Sequence, residues 1–264
     1  MLTQAPLPKL KHLLLAVFKS APSDDQLSAC WQTPGGKSFW LSRSSWALKA
    51  IVLWWEKTFD RAPIIWFPDY FCNEALSLVR TTSATIKFYS VDKNLMPKWD
   101  VCHALAKTAK PDIFVLVHYF GQPSALVGAK QFCEAYQSLI IEDAAHVLCP
   151  TADIGSVGHF TLYSPHKLLA VPHGSICVMS PKKIKRLYPS PSNSAGIMTN
   201  VIEGFGHHAP AVFPWILKRL IQKVVPSFFI YRKTPVQTSV QCCSTLPALH
   251  PFIKKLLYIE LREM

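Results

Sequence analysis

Acidic residues are scarce in this chain: 16 Asp and Glu stand against 28 Lys and Arg in 264 residues, a formal net charge of +12. Charged residues of both signs make up only 17%, while half of the chain is hydrophobic. That balance excludes a disordered, self-repelling polymer and allows one large core, or a domain and a half. Long apolar runs are missing too, and no stretch reaches the roughly 20 residues of a transmembrane helix. The start, MLTQAPLPKLKHLLLAVFKSAP, has basic residues before LLLAVF, but this apolar run is short and is soon followed by Lys19. It argues against export and for a cytoplasmic protein. The eight cysteines include no C-x-x-C pair and no zinc spacing, and Cys242 and Cys243 are adjacent. Reduced thiols are therefore expected, and a metal site is not: the ten histidines lie apart, and His207-His208 is just a pair.

What charge there is sits unevenly. Residues 1–180 hold 16 Lys/Arg and 13 Asp/Glu, whereas residues 181–264 hold 12 and 3. The excess falls in KKIKR, LKRLIQK, YRK and IKK. Nucleic acid, an anionic membrane surface or a phosphate-bearing substrate would each suit it. Nucleic acid is disfavoured, because no recognition motif accompanies the basic residues. The segment HAPAVFPWILKRLIQKVVPSFFIYRK has the apolar and basic character of an interfacial helix, or of one packed on its own domain or on a partner.

Between about residues 40 and 180 strand-like and helix-like runs alternate. A helix is expected from Ser45 to Phe59, with Ser44 or Ser45 as its cap. APIIWFP, TIKFYSVD, PDIFVLVHYF and SLIIED read as strands, and NEALSLVRTT, DVCHALAKTA and SALVGAKQFCEAY as helices. Two further strand-like runs, GHFTLYS and GSICVMS, bracket a lone lysine, Lys167, in the apolar stretch YSPHKLLAVPHGS. No solenoid-period repeat interrupts the pattern. The alternation predicts an α/β fold with a mostly parallel sheet sandwiched by helices. Regularity stops after Ser180, which divides the chain into an N-terminal segment (1–37), a main domain (38–180) and a basic, mainly helical region (181–264).

In such sheets ligands bind beyond the carboxyl ends of the strands. Asp143 falls there, after SLIIE; so do His118 and Gly121, then Asp69, Tyr70 and Phe71, and Ser164 with Lys167. Ser42 to Ser45 precede a helix whose first amides would favour an anion. An anion seat, aromatic rings, a carboxylate and a lysine are the parts that a pyridoxal 5'-phosphate site requires. Each residue also has a plainer reading: a helix cap for Asp143 and Ser45, a packed ring for Tyr70 and Phe71, a packed or surface imidazole for His146, and for Lys167 a packed stem with its ammonium in water.

Four segments, in order, resemble the DegT/DnrJ/StrS-type sugar aminotransferases: SRSSWALKAIVL, VLVHYFGQP, IIEDAAH and GSVGHFTLYSPHKLLAVPHGSICVMS. The resemblance covers roughly residues 38–180 and implies the aspartate aminotransferase fold (fold type I, with a seven-stranded sheet) and a homodimer. It implies pyridoxal phosphate as cofactor, a nucleotide-linked keto-sugar as acceptor, and an amino acid such as glutamate as donor. Lys167 is then the Schiff-base lysine and Asp143 the partner of the pyridine nitrogen, with His146 beside the cofactor. Ser44, Ser45, Trp46 and Ser164 would surround the phosphate. Tyr70 or Phe71 would replace the stacking ring, whose family position holds Cys72, or that ring would be absent, and His118 would stand near the substrate. The family's usual glycines are replaced at Ser44 and at His173, its asparagine-containing segment has no clear counterpart, and YIELREM resembles the point where its chain runs on into a C-terminal small domain. A catalytically impaired relative that binds a partner or a membrane surface is the alternative that these departures leave open.

Overall fold

A computed structural model describes residues 6–190, 193–224 and 246–263. Seven strands form one sheet: β1 (Lys37–Leu41), β2 (Ile64–Pro68), β3 (Thr85–Tyr89), β4 (Ile113–Val117), β5 (Leu139–Ala144), β6 (Phe160–Tyr163) and β7 (Ser175–Met179). Their spatial order is β1-β7-β6-β5-β4-β2-β3, with β7 antiparallel to both its neighbours and every other pair parallel. Because β7 alone is reversed, β1 runs in the same direction as β6. The carboxyl ends of six strands therefore share one edge, where the amino end of β7 joins them.

Helices cover both faces, as the α/β reading expects. Alternation along the strands sends Ile65, Phe67, Ile113, Val115, Leu139 and Ile141 toward α3 (Ser44–Phe59) and α7 (Ser194–Glu203). Trp66, Phe114, Leu116 and Ile140 face α4 (Trp99–Ala106) and α5 (Leu126–Tyr136). Trp54 and Trp55 of α3 are fully buried, and each large side chain so buried contributes about 1.5–3 kcal/mol. A third cluster joins α1 (Leu10–Phe18) and α9 (Pro251–Arg262) to Trp40, Tyr163 and Ile176 of the sheet. The His12 ring bridges Glu260 (2.6 Å) and Glu263 (2.7 Å), tying α1 to α9.

Two local expectations are corrected, and one element is new. α3 begins at Ser44 behind an extended Arg43, and neither serine caps it: Arg43 holds the cap position, with no side-chain bond to the first turn. NEALSLVRTT is not one helix but two short 3-10 turns, Asn73–Leu76 and Val79–Thr81. There the hydroxyls of Ser77, Thr81 and Thr82 each bond the carbonyl three residues back, competing with the helical ladder. Strand β1 itself was not foreseen.

Beyond β7, the described residues hold α6 (Pro181–Leu187), α7, α8 (Phe213–Val224) and α9. Trp215, Ile216 and Leu220 of α8 pack inward, and Phe213, Leu217 and Ile221 form an exposed stripe on one side. The YRK run, the Cys242-Cys243 pair and the rest of that apolar, basic segment lie outside the described residues. Among the described residues no helix is long and apolar enough to cross a membrane, and no cluster of three His, Cys, Asp or Glu is placed to hold a metal.

Candidate active site

Strand ends assemble the site. Asp143 is the penultimate residue of β5, His118 follows β4, Tyr70 and Phe71 follow β2, and Lys167 closes a 3-10 turn after β6. Together with His146 they line one cavity of about 300 Å3, which also takes in Cys72, Val117, Tyr119, Phe120 and Ala145. Six residues expected from the sequence thus meet in one place although they span nearly a hundred positions of the chain.

Lys167 is exposed, and its stem is not sunk in the core despite its apolar neighbours. Its amide donates to the Ser164 carbonyl (2.9 Å), which fixes the turn, and its Nζ lies 3.4 Å from Nε2 of His146. Burial, and then the nearby Lys167 charge, push the His146 imidazole below its ordinary value. It therefore remains neutral near pH 7 and presents Nε2 as an acceptor to the amine. The Phe120 ring lies parallel to His146, 6.1 Å away with an interplanar angle of 5°. Phe120 adopts the left-handed backbone region (φ 55°) just before Gly121 (φ 80°), and this turn sets the exposed ring over the cavity mouth.

Half-buried Asp143 accepts the Ala145 amide at 3.0 Å. Desolvation raises its carboxyl above the usual value, against the opposing pull of Lys167, that amide, His146 and His118. It is a carboxylate for which a cationic ligand would compensate desolvation. His118 is buried in the cavity wall. Its Nδ1 accepts the Ser124 amide (3.1 Å), so Nε2 carries the proton and donates to Glu142 (2.8 Å). Glu142 is fully buried and takes three more donors, the amides of Gly155, Val157 and Gly158. Burial raises its carboxyl, but the His118, Gly155 and Gly158 hydrogen bonds outweigh burial and leave it below the ordinary range. Glu142 is thus the anchor beneath the site.

The expected phosphate group is placed differently. Ser44, Ser45, Trp46 and Ser164 do not line the cavity. Trp46 packs on Phe205, with ring centroids 5.0 Å apart, and Ser45 is buried in the first turn of α3. Ser164 is fully buried, and among the described residues its Oγ has no partner. Of the two rings proposed to stack, Phe71 packs on Phe67 (4.9 Å), while Tyr70 is 58% exposed and held by the Tyr119 hydroxyl, which donates to its carbonyl (2.6 Å). Sequence reasoning missed Glu142, Tyr119 and Phe120. Their signals were the acid in IIED and the Tyr-Phe-Gly turn in VLVHYFGQP.

Residues 78–189 match the family model of the DegT/DnrJ/EryC1/StrS aminotransferases. Sequence comparison with curated proteins finds no match. Among solved structures, a sugar aminotransferase from Streptococcus pneumoniae, Spr1654 in its PMP form, superposes with a TM-score of 0.68 at 14% identity over 100% of this chain and 68% of its own. Helicobacter pylori PseC, an aminotransferase involved in the biosynthesis of pseudoaminic acid, gives 0.63 at 13% over 98% and 65%. DesI, solved in the presence of its TDP-sugar product, gives 0.54 at 17% over 77% and 54%. The chain spans about 65% of the length of PseC. In sequence across residues 78–189, and in its aspartate aminotransferase-like fold, this chain resembles the DegT/DnrJ/EryC1/StrS aminotransferase family.

Proposed function

We propose that the chain binds pyridoxal 5'-phosphate and transfers an amino group from an amino acid, such as glutamate, to a keto-sugar carried on a nucleotide. The observation that carries this reading is the convergence of Lys167, His146 and Asp143 in one cavity at the carboxyl edge of the sheet. Their chemistry fits the cofactor: an amine beside a neutral imidazole, and a desolvated carboxylate whose charge a cationic ring would balance. The family match favours a sugar as substrate, and the TDP-sugar product of DesI favours its nucleotide carrier.

When bound, the cofactor supplies an aldehyde and an electron-accepting ring. Lys167 would supply the attacking amine, and the neutral His146 ring can accept a hydrogen bond from it at Nε2. Asp143 would hold the proton on the pyridine nitrogen. His118 stays fixed by Glu142 and so shapes the wall. Tyr70 and Phe120, which line the cavity, would cover apolar ring surface and exclude water from it.

The test is titration of the protein with pyridoxal phosphate, followed by borohydride reduction and peptide mapping. A visible band and a reduced adduct on Lys167, both absent from Lys167→Ala, support the reading; no band and no adduct overturn it. A second reading, contact with a membrane surface, is favoured by the Phe213, Leu217 and Ile221 stripe on a helix whose charged residues are all basic. Sedimentation with anionic vesicles that persists in Lys167→Ala would support that one.

A further inference from the structure

Two helices are apolar on their outer side as well as on the side they bury. The inner side of α1 buries Leu13 and Ala16, and the inner side of α8 packs Trp215, Ile216 and Leu220 on the same cluster, the one that joins α1 and α9 to the sheet. The outer side of α1 carries Leu10, Leu14, Val17 and Phe18 at the i, i+4, i+7 and i+8 spacing of a second stripe. All four are exposed, Phe18 to 85%. Phe213, Leu217 and Ile221 follow the same helical spacing on α8, with Phe213 73% exposed. A surface helix ordinarily turns charged and polar side chains outward. Neighbouring exposed apolar side chains of this kind mark a face that something else covers.

Charge decides what that is. The sequence has no Asp or Glu between Glu203 and Glu260, against seven Lys and Arg. The acids around α1 and α9 are already engaged: Glu260 and Glu263 hold His12, Glu263 also pairs with Lys9 and Lys11, and Asp24 pairs with Lys254. Arg219 lies over the Trp215 ring, 5.9 Å from its centroid, and donates to Gln222. Neither Arg219 nor Lys223 has an acid partner among the described residues. A second copy of the chain would set like charges against each other, since a two-fold interface pairs a patch with its own copy. Nucleic acid would meet the charges, but its phosphate backbone offers no apolar depth for phenylalanine and leucine. A bilayer with anionic headgroups offers both. The 12 residues of α8 span about 18 Å, too short to cross it and suited to lying along its surface.

We propose that the outer sides of α1 and α8 form a docking face for an anionic lipid bilayer. Leu10, Leu14, Phe18, Phe213, Leu217 and Ile221 enter the boundary between headgroups and acyl chains, and Lys218, Arg219 and Lys223 meet the lipid phosphates. This rests on the membrane-surface reading above and adds to it a second helix, the charge of the lipid and compatibility with the ring cavity. None of the side chains in either stripe lines that cavity. The cluster beneath both helices includes Val147, next to His146 in the chain, and Leu169, two residues after Lys167. The lipid face and the cavity are therefore separate surfaces of one packed unit, and occupying one leaves the other in place.

The test is flotation of the full chain with vesicles of phosphatidylcholine alone and of phosphatidylcholine mixed with phosphatidylglycerol. Phe213→Ser with Leu217→Ser and Ile221→Ser should weaken partition into the anionic vesicles at least about 10-fold, because three side chains leave the acyl boundary. Leu10→Ser with Leu14→Ser and Phe18→Ser should do the same. Lys218→Gln with Lys223→Gln should weaken it on the order of 30-fold and flatten its dependence on salt. Phe88→Ser, at an exposed ring of the edge strand β3, should bind as the unmodified chain does. So should Lys167→Ala, which keeps this result independent of the cofactor reading. No binding to either vesicle overturns the membrane reading as a whole. Binding that survives all three sets, or loss from one helix alone, overturns the two-helix face. Equal partition into neutral and anionic vesicles overturns the part given to the charges. Self-association in sedimentation velocity that the Phe213 set abolishes, without vesicle binding, makes a second copy the occupant and overturns the lipid. Circular dichroism melts check that each set folds; should one not, Phe213→Ser or Phe18→Ser alone carries the comparison.

Discussion

Replacing Glu142 with glutamine is expected to unfold the protein well before it alters any surface property. Oε1 accepts the Val157 and Gly158 amides, and Oε2 accepts the Gly155 amide and the His118 ring. Glutamine keeps one acceptor oxygen, so its NH2 must face two of these four donors. Leaving two buried donors unpaired costs about 1–3 kcal/mol each, toward the upper part of that range where the lost acceptor is charged. A loss of roughly 3–5 kcal/mol should lower Tm by about 6–20 °C at this chain length. The effect should depend on pH in a definite direction. Because the folded-state pKa of Glu142 is depressed, its contribution is present above about pH 4.5 and is lost as pH falls toward the folded value. The gap between the two proteins should therefore narrow on acidification. Scanning calorimetry of Glu142→Gln at pH 7 and in acid, with exposed Glu134→Gln as control, makes the measurement. A Tm change under about 2 °C at pH 7, or a gap that widens in acid, would refute the argument.

Asp112 accepts Arg61 with both oxygens and also the Ile64 amide at the start of β2 (2.8 Å). Asp112→Ala is expected to cost about 2–3 kcal/mol, seen as a lower urea midpoint with little change in m. A β-carbon at Gly121, where φ is 80°, would stand 3.0 Å from the His146 carbonyl oxygen. Gly121→Ala should therefore lose more than about 1 kcal/mol and displace the His146 turn. Chemical unfolding, with the His146 ring resonances followed by NMR, checks both; an unmoved ring would show that the turn absorbs the methyl group.

The β/α alternation is local information, and it was readable: each apolar run is its own strand, bounded by polar or proline residues. Lys167, Asp143, His146, His118 and Tyr70 were legible as strand-end residues because a parallel sheet places such ends on one edge whatever the contacts are. KSFWL was harder, since a five-residue strand with two polar positions becomes one only through pairing with Ser175–Met179, some 140 residues away. Ser77, Thr81 and Thr82 misled because their hydroxyls take up local carbonyls in competition with the helix.

By itself, then, the sequence determined the layers of the fold and the edge on which the chemistry stands, since periodicity and strand ends are properties of neighbouring residues. Tertiary structure alone decided three things: that Glu142 anchors His118, that Ser44 and Ser45 stay out of the ring cavity, and that Arg43 meets His166 across 123 positions. Those outcomes depend on which distant loops the packed sheet edge brings within hydrogen-bond range, and no local pattern encodes that distance.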